Sequence, residues 1–201
     1  SRQLAALRRR GGGPPQPPGS MARLWFALAY ETGGRIGDAP HLGPANIQTH
    51  DEERFLEWQP RKKGSAMVSV PIHAMLAEEL ENYPTRPTFL ITDHGKPFSS
   101  SASLGNHVRK WVVQAGLVDA DGKATRSQHG VRKGVAALMV SHGATEFELM
   151  ATFGWTEAKT AAVYTRKYNR RRTAEAAARR RAEAEGGPRA AKRGPQSGPS
   201  D

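Results

Sequence analysis

Apolar residues recur at helical spacing through most of this chain and alternate in one region only. The helical spacing, which buries one face of a helix, covers residues 21–32, 73–83, 101–115, 128–142, 145–153 and 156–167. Residues 46–72 instead hold three short apolar runs separated by turns, a pattern typical of antiparallel strands. The sequence therefore predicts an α+β fold that is mainly α-helical and contains a small three-stranded antiparallel sheet. We also expect a short helix from Arg35 to a point before Gly43, and a short buried strand or extended piece at 88–92.

The two ends of the chain differ in composition from its middle. Glycine and proline pairs in 9–20 argue against packing, so we expect 1–20 to be an N-terminal remnant followed by a flexible linker. Residues 21–168 form the predicted folded domain. Residues 169–185 alternate alanine with charged residues, which predicts a basic C-terminal helix or tail, and 186–201 are expected to be disordered.

Charge narrows the class of partner. The formal net charge is +11, which favours a polyanion such as DNA, although basic flanks alone would equally suit RNA or an anionic membrane surface. The excess lies in the flanks, with +4 in residues 1–20, +7 in 165–201 and zero in 21–164. If the middle of the chain acts on DNA, it must therefore contain a local basic pocket.

Several functional classes are excluded by what the sequence lacks. The chain has no cysteine, which removes disulfides, thiolate metal sites and cysteine nucleophiles. No apolar run approaches the roughly 18 residues of a membrane span, and the N-terminus has no apolar segment of the kind found in secretory signals. We therefore expect a cytoplasmic protein with no membrane partner.

A glycine pair precedes a candidate phosphate ligand, Arg35. The guanidinium fork matches phosphate oxygens bidentately, and glycines at the start of a helix let an anion approach backbone N–H groups. Asp38, three residues later, could orient Arg35 or His129, or could compensate the charge of a helix N-terminus. On its own this motif fits a solvated turn arginine better.

A second set of candidates follows in the last third of the domain. His129 and Arg132 are three residues apart, so they project from one face of a predicted helix. Imidazole titrates near neutral pH and can exchange a proton with a phenol. Trp155 can donate one hydrogen bond to a phosphate oxygen, and Tyr164 could attack phosphorus if cations and a base activate it. Each residue alone is compatible with ordinary packing, and Tyr168 is a competing phenol.

Lysines at the predicted hairpin turn complete the set. Lys62 or Lys63 could protonate a leaving 5′ oxygen, and a solvated turn lysine is the plain alternative for each. Lys63, Lys133 and Arg166 are further expected DNA contacts.

Taken together, the ordered residues resemble the catalytic domain of tyrosine recombinases, the phage-integrase family, over residues 21–168. The resemblance is carried by Arg35 with Asp38 in TGGRIGD, Lys62 in KKG, His129 and Arg132 in HGVR, Trp155, and Tyr164 nine residues on. Trp155 departs from the histidine that is commoner in the family. Gly34, Gly37 and Pro40 are unusual neighbours of the first arginine and put the local helix geometry in question.

The resemblance implies a mechanism and a set of partners. Tyr164 would attack a scissile phosphate and form a 3′-phosphotyrosyl link, with no metal or cofactor required. The catalytic residues would be Arg35, Lys62, His129, Arg132 and Trp155 beside Tyr164, with Asp38 behind them. Double-stranded DNA is the implied partner, with self-association into a dimer or tetramer on DNA. The implied function is integration or excision of a mobile element in the bacterial cytoplasm, in association with the nucleoid.

Two other functions stay open. Family members carry an N-terminal core-binding domain, and the residues before the linker are too few to form one. We therefore expect weak DNA binding that falls steeply with salt. A catalytically silent DNA-binding module derived from such an enzyme is one alternative, and relaxation of DNA in the manner of type IB topoisomerases is the other.

Overall fold

The computed structural model describes residues 16–17, 19–82 and 86–186. The chain divides into two compact units, Ser1–Thr165 and Arg166–Asp201. The α-helices of the described part are α1 Met21–Thr32, α2 Ala74–Glu81, α3 Ser101–Gln114, α4 Gln128–Ser141, α5 Glu146–Phe153 and α6 Ala158–Gly186, and its strands are β1 Ile47–His50, β2 Glu53–Trp58 and β3 Val68–Pro71. The mainly helical α+β fold with a small antiparallel sheet is thus confirmed. The expectations for 1–15, Tyr83 and 187–201 lie outside the described residues.

Helix α1 runs through the centre of the first unit and ends at the predicted glycine pair. Leu24 and Leu28 are almost fully buried, and Trp25 is 5% exposed. Gly33 ends the helix in the left-handed region at φ 57°, and its N–H donates to the carbonyl of Ala29. Left-handed backbone favours glycine, and a Cβ at this position would also overlap the Phe153 ring. The end of α1 is therefore fixed by both backbone conformation and packing.

The prediction of a helix from Arg35 is wrong. The chain turns after Gly34 and forms only a three-residue 3-10 helix at Ala39–His41. Gly37 has a high entropic cost in a helix, and Pro40 donates no backbone hydrogen bond, so an α-helix cannot propagate here. At 88–92, where a short buried strand or an extended piece was expected, the structure has a single antiparallel bridge between Ile91 and Pro97. Phe89 and Leu90 are buried in that segment, so its predicted burial is confirmed.

The sheet has the order β1–β2–β3 with both pairs antiparallel, as the sequence predicted. Leu56 lies opposite Ile47 on one side and Val70 on the other, which aligns one apolar face of the sheet. Trp58 and Val68 pair at the end of the β2–β3 ladder, where both side chains are buried. The loop that follows this pair, residues 59–67, is held at the edge of the sheet.

Helices α2 to α5 correspond to predicted segments, with ends that differ by one or two residues where they are described. Helix α1 contacts α2 and α4, and α5 contacts β3. Arg23 of α1 donates through Nε to the buried carboxylate of Glu79 on α2 at 2.6 Å. The contact between α1 and α4 brings the start of α4 next to the end of α1.

The helix predicted at 156–167 and the basic helix or tail predicted at 169–185 correspond to a single helix, α6. Its first turns belong to the first unit, where Ala161 and Ala162 are buried. Side chains at 169–184 in the second unit are all exposed. Among the described residues, no helix combines the length and apolar character needed to cross a bilayer.

Candidate active site

A cavity of about 530 Å³ in the first unit collects residues that are far apart in the sequence. It is lined by the 34–38 turn, the β2–β3 loop, the first residues of α3 and α4, Trp155, and one face of the start of α6. The lining side chains include seven of the predicted residues: Arg35, Asp38, Lys62, His129, Arg132, Trp155 and Tyr164. Lys63 and Lys133 are exposed and do not line the cavity, and Arg166 is exposed in the second unit.

Arg132 is the most buried cation of the site, with 8% of its surface exposed. Its Nη1 donates to the carbonyl of Gly33 at 2.6 Å, and its Nη2 donates to the carbonyl of Phe153 at 3.1 Å. A guanidinium has five N–H donors. Arg132 therefore ties α4 to the ends of α1 and α5 and still has N–H groups left for an anion.

The charge of Arg132 is held in an unfavourable environment. Burial, and then the nearby positive charge of Arg35, lower the pKa of Arg132 to about 10, while Tyr164 and Asp38 act in the opposite direction. The group remains protonated at neutral pH. Because two cations face one cavity and one of them is largely desolvated, an anion that enters would relieve their repulsion.

Three aromatic rings are stacked in a row beside the cavity, and two of them, Trp155 and Tyr164, line it. The ring centroids of Phe153 and Trp155 are 4.7 Å apart at 16°, and those of Trp155 and Tyr164 are 5.5 Å apart at 15°. The Arg132 guanidinium carbon lies 4.8 Å from the Phe153 centroid and 5.5 Å from the Trp155 centroid. Stacking and cation–π contact thus fix the Tyr164 ring relative to Arg132.

The turn that presents Arg35 is held through its backbone. Thr32 Oγ1 accepts from the N–H of Gly34 at 2.9 Å, and Gln128 Nε2 donates to the carbonyl of Gly34 at 3.0 Å. The Arg35 side chain itself donates to Ser65 Oγ at 3.3 Å. Arg35 is therefore placed by the turn and reaches toward the β2–β3 loop.

Asp38 is 3% exposed and holds the β2–β3 loop. Its Oδ1 accepts from the backbone N–H of Arg61 at 2.8 Å, directly before Lys62. The sequence suggested a contact with Arg35 or His129. The hydrogen bond that the structure gives Asp38 instead positions the part of the β2–β3 loop from which Lys62 enters the cavity.

The β2–β3 loop is also bonded to the turn that carries Trp155. The N–H of Ala66 donates to the carbonyl of Gly154 at 3.2 Å, and Thr156 Oγ1 donates to the carbonyl of Gly64 at 2.9 Å. Gly154 is left-handed at φ 62°, and a Cβ there would meet the carbonyl of Ala66 and the side chain of Val68. The loop with Lys62 and the turn with Trp155 therefore form one packed unit.

Outside the 34–38 turn, four lining residues were not anticipated from the sequence: Arg61, Ser101, Gln128 and Thr160. Arg61 stands next to two lysines in PRKKG, so a run of three cations at one turn was a usable signal. Ser101 follows the N-cap of α3, and Gln128 is the first residue of α4. No periodicity or motif marks these two residues, because their position in the cavity depends on how the helices pack.

The arrangement is suited to binding and attacking one phosphate. Arg35, Arg132 and Lys62 supply positive charge, His129 is exposed at the start of α4, and Tyr164 supplies a hydroxyl. A second cavity of about 680 Å³ lies along the exposed side of α3 and is lined by Ser103, Asn106, His107, Arg109, Lys110, Val113 and Gln114. Within the described ranges, no three histidine, aspartate or glutamate side chains are grouped to hold a metal ion.

Comparison with known proteins gives a consistent set of matches. The sequence profile described as the phage integrase family matches residues 5–171. The structure is similar to XerA recombinase, with a TM-score of 0.58 and 15% identity, covering 82% of this chain and 58% of that one. It is also similar to XerH recombinase in a post-cleavage complex with palindromic difH DNA, with a TM-score of 0.60 and 18% identity over 88% of this chain and 51% of that one.

A lambda integrase dimer bound to a COC′ core site matches with a TM-score of 0.59 and 18% identity, covering 82% of this chain and 46% of that one. At these low identities, the structural similarity shows a shared fold and no more. The chain spans roughly half the length of the solved structures that it matches. No curated protein matches the sequence.

Proposed function

The chain belongs to the phage integrase family, and from this premise we propose that it acts as a tyrosine-type site-specific recombinase on double-stranded DNA. The observation that carries the proposal is the convergence of Arg35, Arg132, His129 and Tyr164 on one cavity. These residues are separated by up to 129 positions, so their meeting is a property of the fold. The cavity supplies the local basic site that the net-neutral middle of the chain requires.

The proposed first step is attack of the Tyr164 hydroxyl on a scissile phosphorus. The bond from the phenolic oxygen to phosphorus forms, and the bond from phosphorus to the 5′ oxygen breaks. His129 accepts the phenolic proton, and Lys62 donates a proton to the leaving 5′ oxygen. Arg35 and Arg132 neutralise the charge on the non-bridging oxygens, and Trp155 donates one hydrogen bond to them. The product is a 3′-phosphotyrosyl link and a 5′ hydroxyl.

The second step reverses the first with a different strand. A 5′ hydroxyl from a partner duplex attacks the 3′-phosphotyrosyl phosphorus and releases Tyr164. The covalent link keeps the energy of the phosphodiester, so the exchange needs no nucleotide cofactor. Because two duplexes must meet, we propose that copies of the chain assemble on DNA as dimers or tetramers. Integration or excision of a mobile element at the bacterial nucleoid, in the cytoplasm, is the biological role that this chemistry fits.

We propose that DNA bound at the catalytic cavity continues along the exposed side of α3, where the second cavity lies. Helix α3 begins with Ser101 in the catalytic cavity, and its exposed side carries Asn106, Arg109, Lys110 and Gln114. Asparagine, glutamine, arginine and lysine are the side chains that pair with base edges in the major groove. A duplex with one phosphate in the catalytic cavity would therefore present its neighbouring bases or phosphates to α3. Lys63, Lys133 and Arg166 are proposed as further contacts to phosphates.

Trapping the covalent intermediate tests the function. A pool of duplexes with randomised sequence and a nick just 3′ of the randomised region lets a short cleaved fragment diffuse away and prevents rejoining. We expect a protein–DNA adduct that survives denaturant, and a released fragment that polynucleotide kinase labels directly because its 5′ end is a hydroxyl. Sequencing the adducts locates the cleaved phosphate.

The trapping experiment together with a plasmid relaxation assay separates the alternatives. DNA binding with no adduct would contradict the enzyme and leave the silent binding module. Relaxation of a supercoiled plasmid without strand exchange between duplexes would instead favour the topoisomerase. Weak binding with a steep salt dependence is compatible with each of these outcomes, so affinity alone does not decide between them.

The identity of the general acid gives a separate prediction. Lys62 lines the cavity and Lys63 does not, so we expect Lys62→Ala to slow single-turnover cleavage about 10²–10⁴-fold. In a substrate with sulfur in place of the leaving 5′ oxygen, the sulfur leaves without being protonated. On that substrate neither the unmodified chain nor Lys62→Ala gains from a general acid, so the two should cleave at rates within about tenfold of each other. Lys63→Ala is the matched control. Rescue by sulfur in Lys63→Ala instead would assign the acid to Lys63.

A further inference from the structure

We infer that Gln128 is a positioning residue that aims Arg35 at the scissile phosphate, an inference that rests on the proposed function. Gln128 is 2% exposed and is the first residue of α4. Its Oε1 accepts from Trp25 Nε1 at 2.9 Å, and its Nε2 donates to the carbonyl of Gly34 at 3.0 Å. These contacts join α4 to the middle of α1 and to the turn before Arg35.

The chemistry of the two partners requires an amide at this position. Indole N–H can only donate, and a backbone carbonyl can only accept. Gln128 must therefore present oxygen to Trp25 and nitrogen to Gly34, so its orientation is set without ambiguity. A carboxylate could accept from Trp25 but could not donate to Gly34, and an apolar side chain could do neither. Both partner groups are buried, so loss of either bond leaves a polar atom without water.

The bond to Gly34 acts on the peptide unit that begins Arg35. The Gly34 carbonyl and the Arg35 N–H lie in one plane, so fixing the carbonyl sets the direction in which the Arg35 chain continues. The preceding unit is already fixed, since Arg132 binds the Gly33 carbonyl and Thr32 binds the Gly34 N–H. Among hydrogen bonds between described residues, the Gln128 bond alone reaches the following unit. Glycine has no Cβ to restrict rotation there.

Helix geometry explains why one element can hold both units. Gln128 and Arg132 are four residues apart, so they lie on the same side of α4. Gly34 and Gly33 are adjacent, and their carbonyls meet these two side chains in turn. His129 follows Gln128 on the first turn and lines the cavity. The start of α4 therefore carries His129, one of the proposed proton carriers, and also binds both peptide units that precede Arg35.

The test measures the single-turnover cleavage rate with two linkages, an ordinary phosphodiester and a methylphosphonate, at the position located by trapping. Gln128→Met removes both hydrogen bonds with little change in size, and Gln128→Glu keeps the bond from Trp25 and loses the one to Gly34. We expect each to slow single-turnover cleavage about 10–100-fold, the range expected for misplacement of a catalytic group by about 1 Å. DNA affinity should stay within about twofold, since few of the contacts to DNA change. Gln48→Met, an exposed glutamine on β1, is the matched control.

The second linkage is a methylphosphonate, in which a methyl group replaces one non-bridging oxygen and the phosphorus centre is neutral. Cleavage of this linkage needs less positive charge, so the loss of rate caused by Arg35→Ala should be smaller than on ordinary DNA. If Gln128 acts through Arg35, the loss of rate in its variants should decrease in parallel. A general loss of stability would not produce this parallel decrease.

Each remaining outcome is decisive. Folded Gln128 variants that cleave ordinary DNA within about twofold of the unmodified chain would overturn the inference, since a misplaced arginine should cost far more. Equal defects on both linkages, or failure of both variants to fold, would assign Gln128 to the core instead. Absence of any adduct with the unmodified chain would remove the proposed function, and the inference would fall with it.

Discussion

Tyr164→Phe is expected to abolish the covalent protein–DNA adduct, with a loss of at least about 10⁴-fold, because the substitution removes the protein atom that is proposed to attack phosphorus in the first step. Phenylalanine keeps the ring that stacks on Trp155 at 5.5 Å. The melting temperature should therefore change little, and DNA affinity should be preserved. The measurement is adduct formation on the nicked duplex, with thermal unfolding followed in parallel.

Tyr168→Phe provides the matched control for this substitution. Tyr168 is one helical turn later on α6 and belongs to the second unit, and it is not among the residues that line the cavity. Its removal should leave the adduct yield within about twofold, since it takes no part in the proposed chemistry. If Tyr168→Phe loses the adduct and Tyr164→Phe retains it, the nucleophile has been misassigned.

Arg132→Ala is expected to damage both catalysis and folding. It removes a charge from the phosphate site, which we expect to cost about 10³-fold or more in single-turnover cleavage. It also leaves the carbonyls of Gly33 and Phe153 without their donors. Leaving these two acceptors unpaired should lower the free energy of unfolding by about 2–5 kcal/mol, which denaturant titration measures.

The comparison with Arg35→Ala tests this double role. Arg35 is half-buried, and the hydrogen bond from its side chain is a 3.3 Å contact with Ser65. We therefore expect Arg35→Ala to lose catalysis on a similar scale with less than about 1 kcal/mol lost in stability, the usual cost of a single exposed or weak contact. Equal stability losses in both variants would contradict the structural role that we assign to Arg132.

The elements that the sequence predicted correctly are those with strong local determinants. Apolar residues at spacings of three and four indicated α1 to α5, and the glycine pair indicated where α1 ends. The sheet followed from alternating runs and from the turn at Asp51 and Glu52, where both residues take positive φ. The short helix expected after Arg35 was a wrong prediction, because Gly37 and Pro40 disfavour a helix there and were given too little weight.

The residues of the site could be identified more easily than their contacts. Arginine, histidine and tyrosine in a recognised order indicated the chemistry, and the cavity brings Arg35, Arg132 and Tyr164 together. The sequence could not show that Arg132 binds the carbonyls of Gly33 and Phe153, because those groups are 99 and 21 residues away. Side chains that hold other parts of a site, such as Gln128, have no local pattern that distinguishes them from surface residues.

The bonds between the β2–β3 loop and the turn around Gly154 have a mechanical consequence. Lys62 and Trp155 are attached to backbone segments that share two hydrogen bonds, so a shift of one segment is transmitted to the other. A force that displaces the turn preceding α6 would move Trp155 and the Tyr164 ring stacked on it. The same displacement would pull Lys62, the proposed general acid, away from the leaving oxygen. Under the proposed function, the acid and the nucleophile would thus be gained or lost together, and a half-assembled centre would not cut a DNA strand.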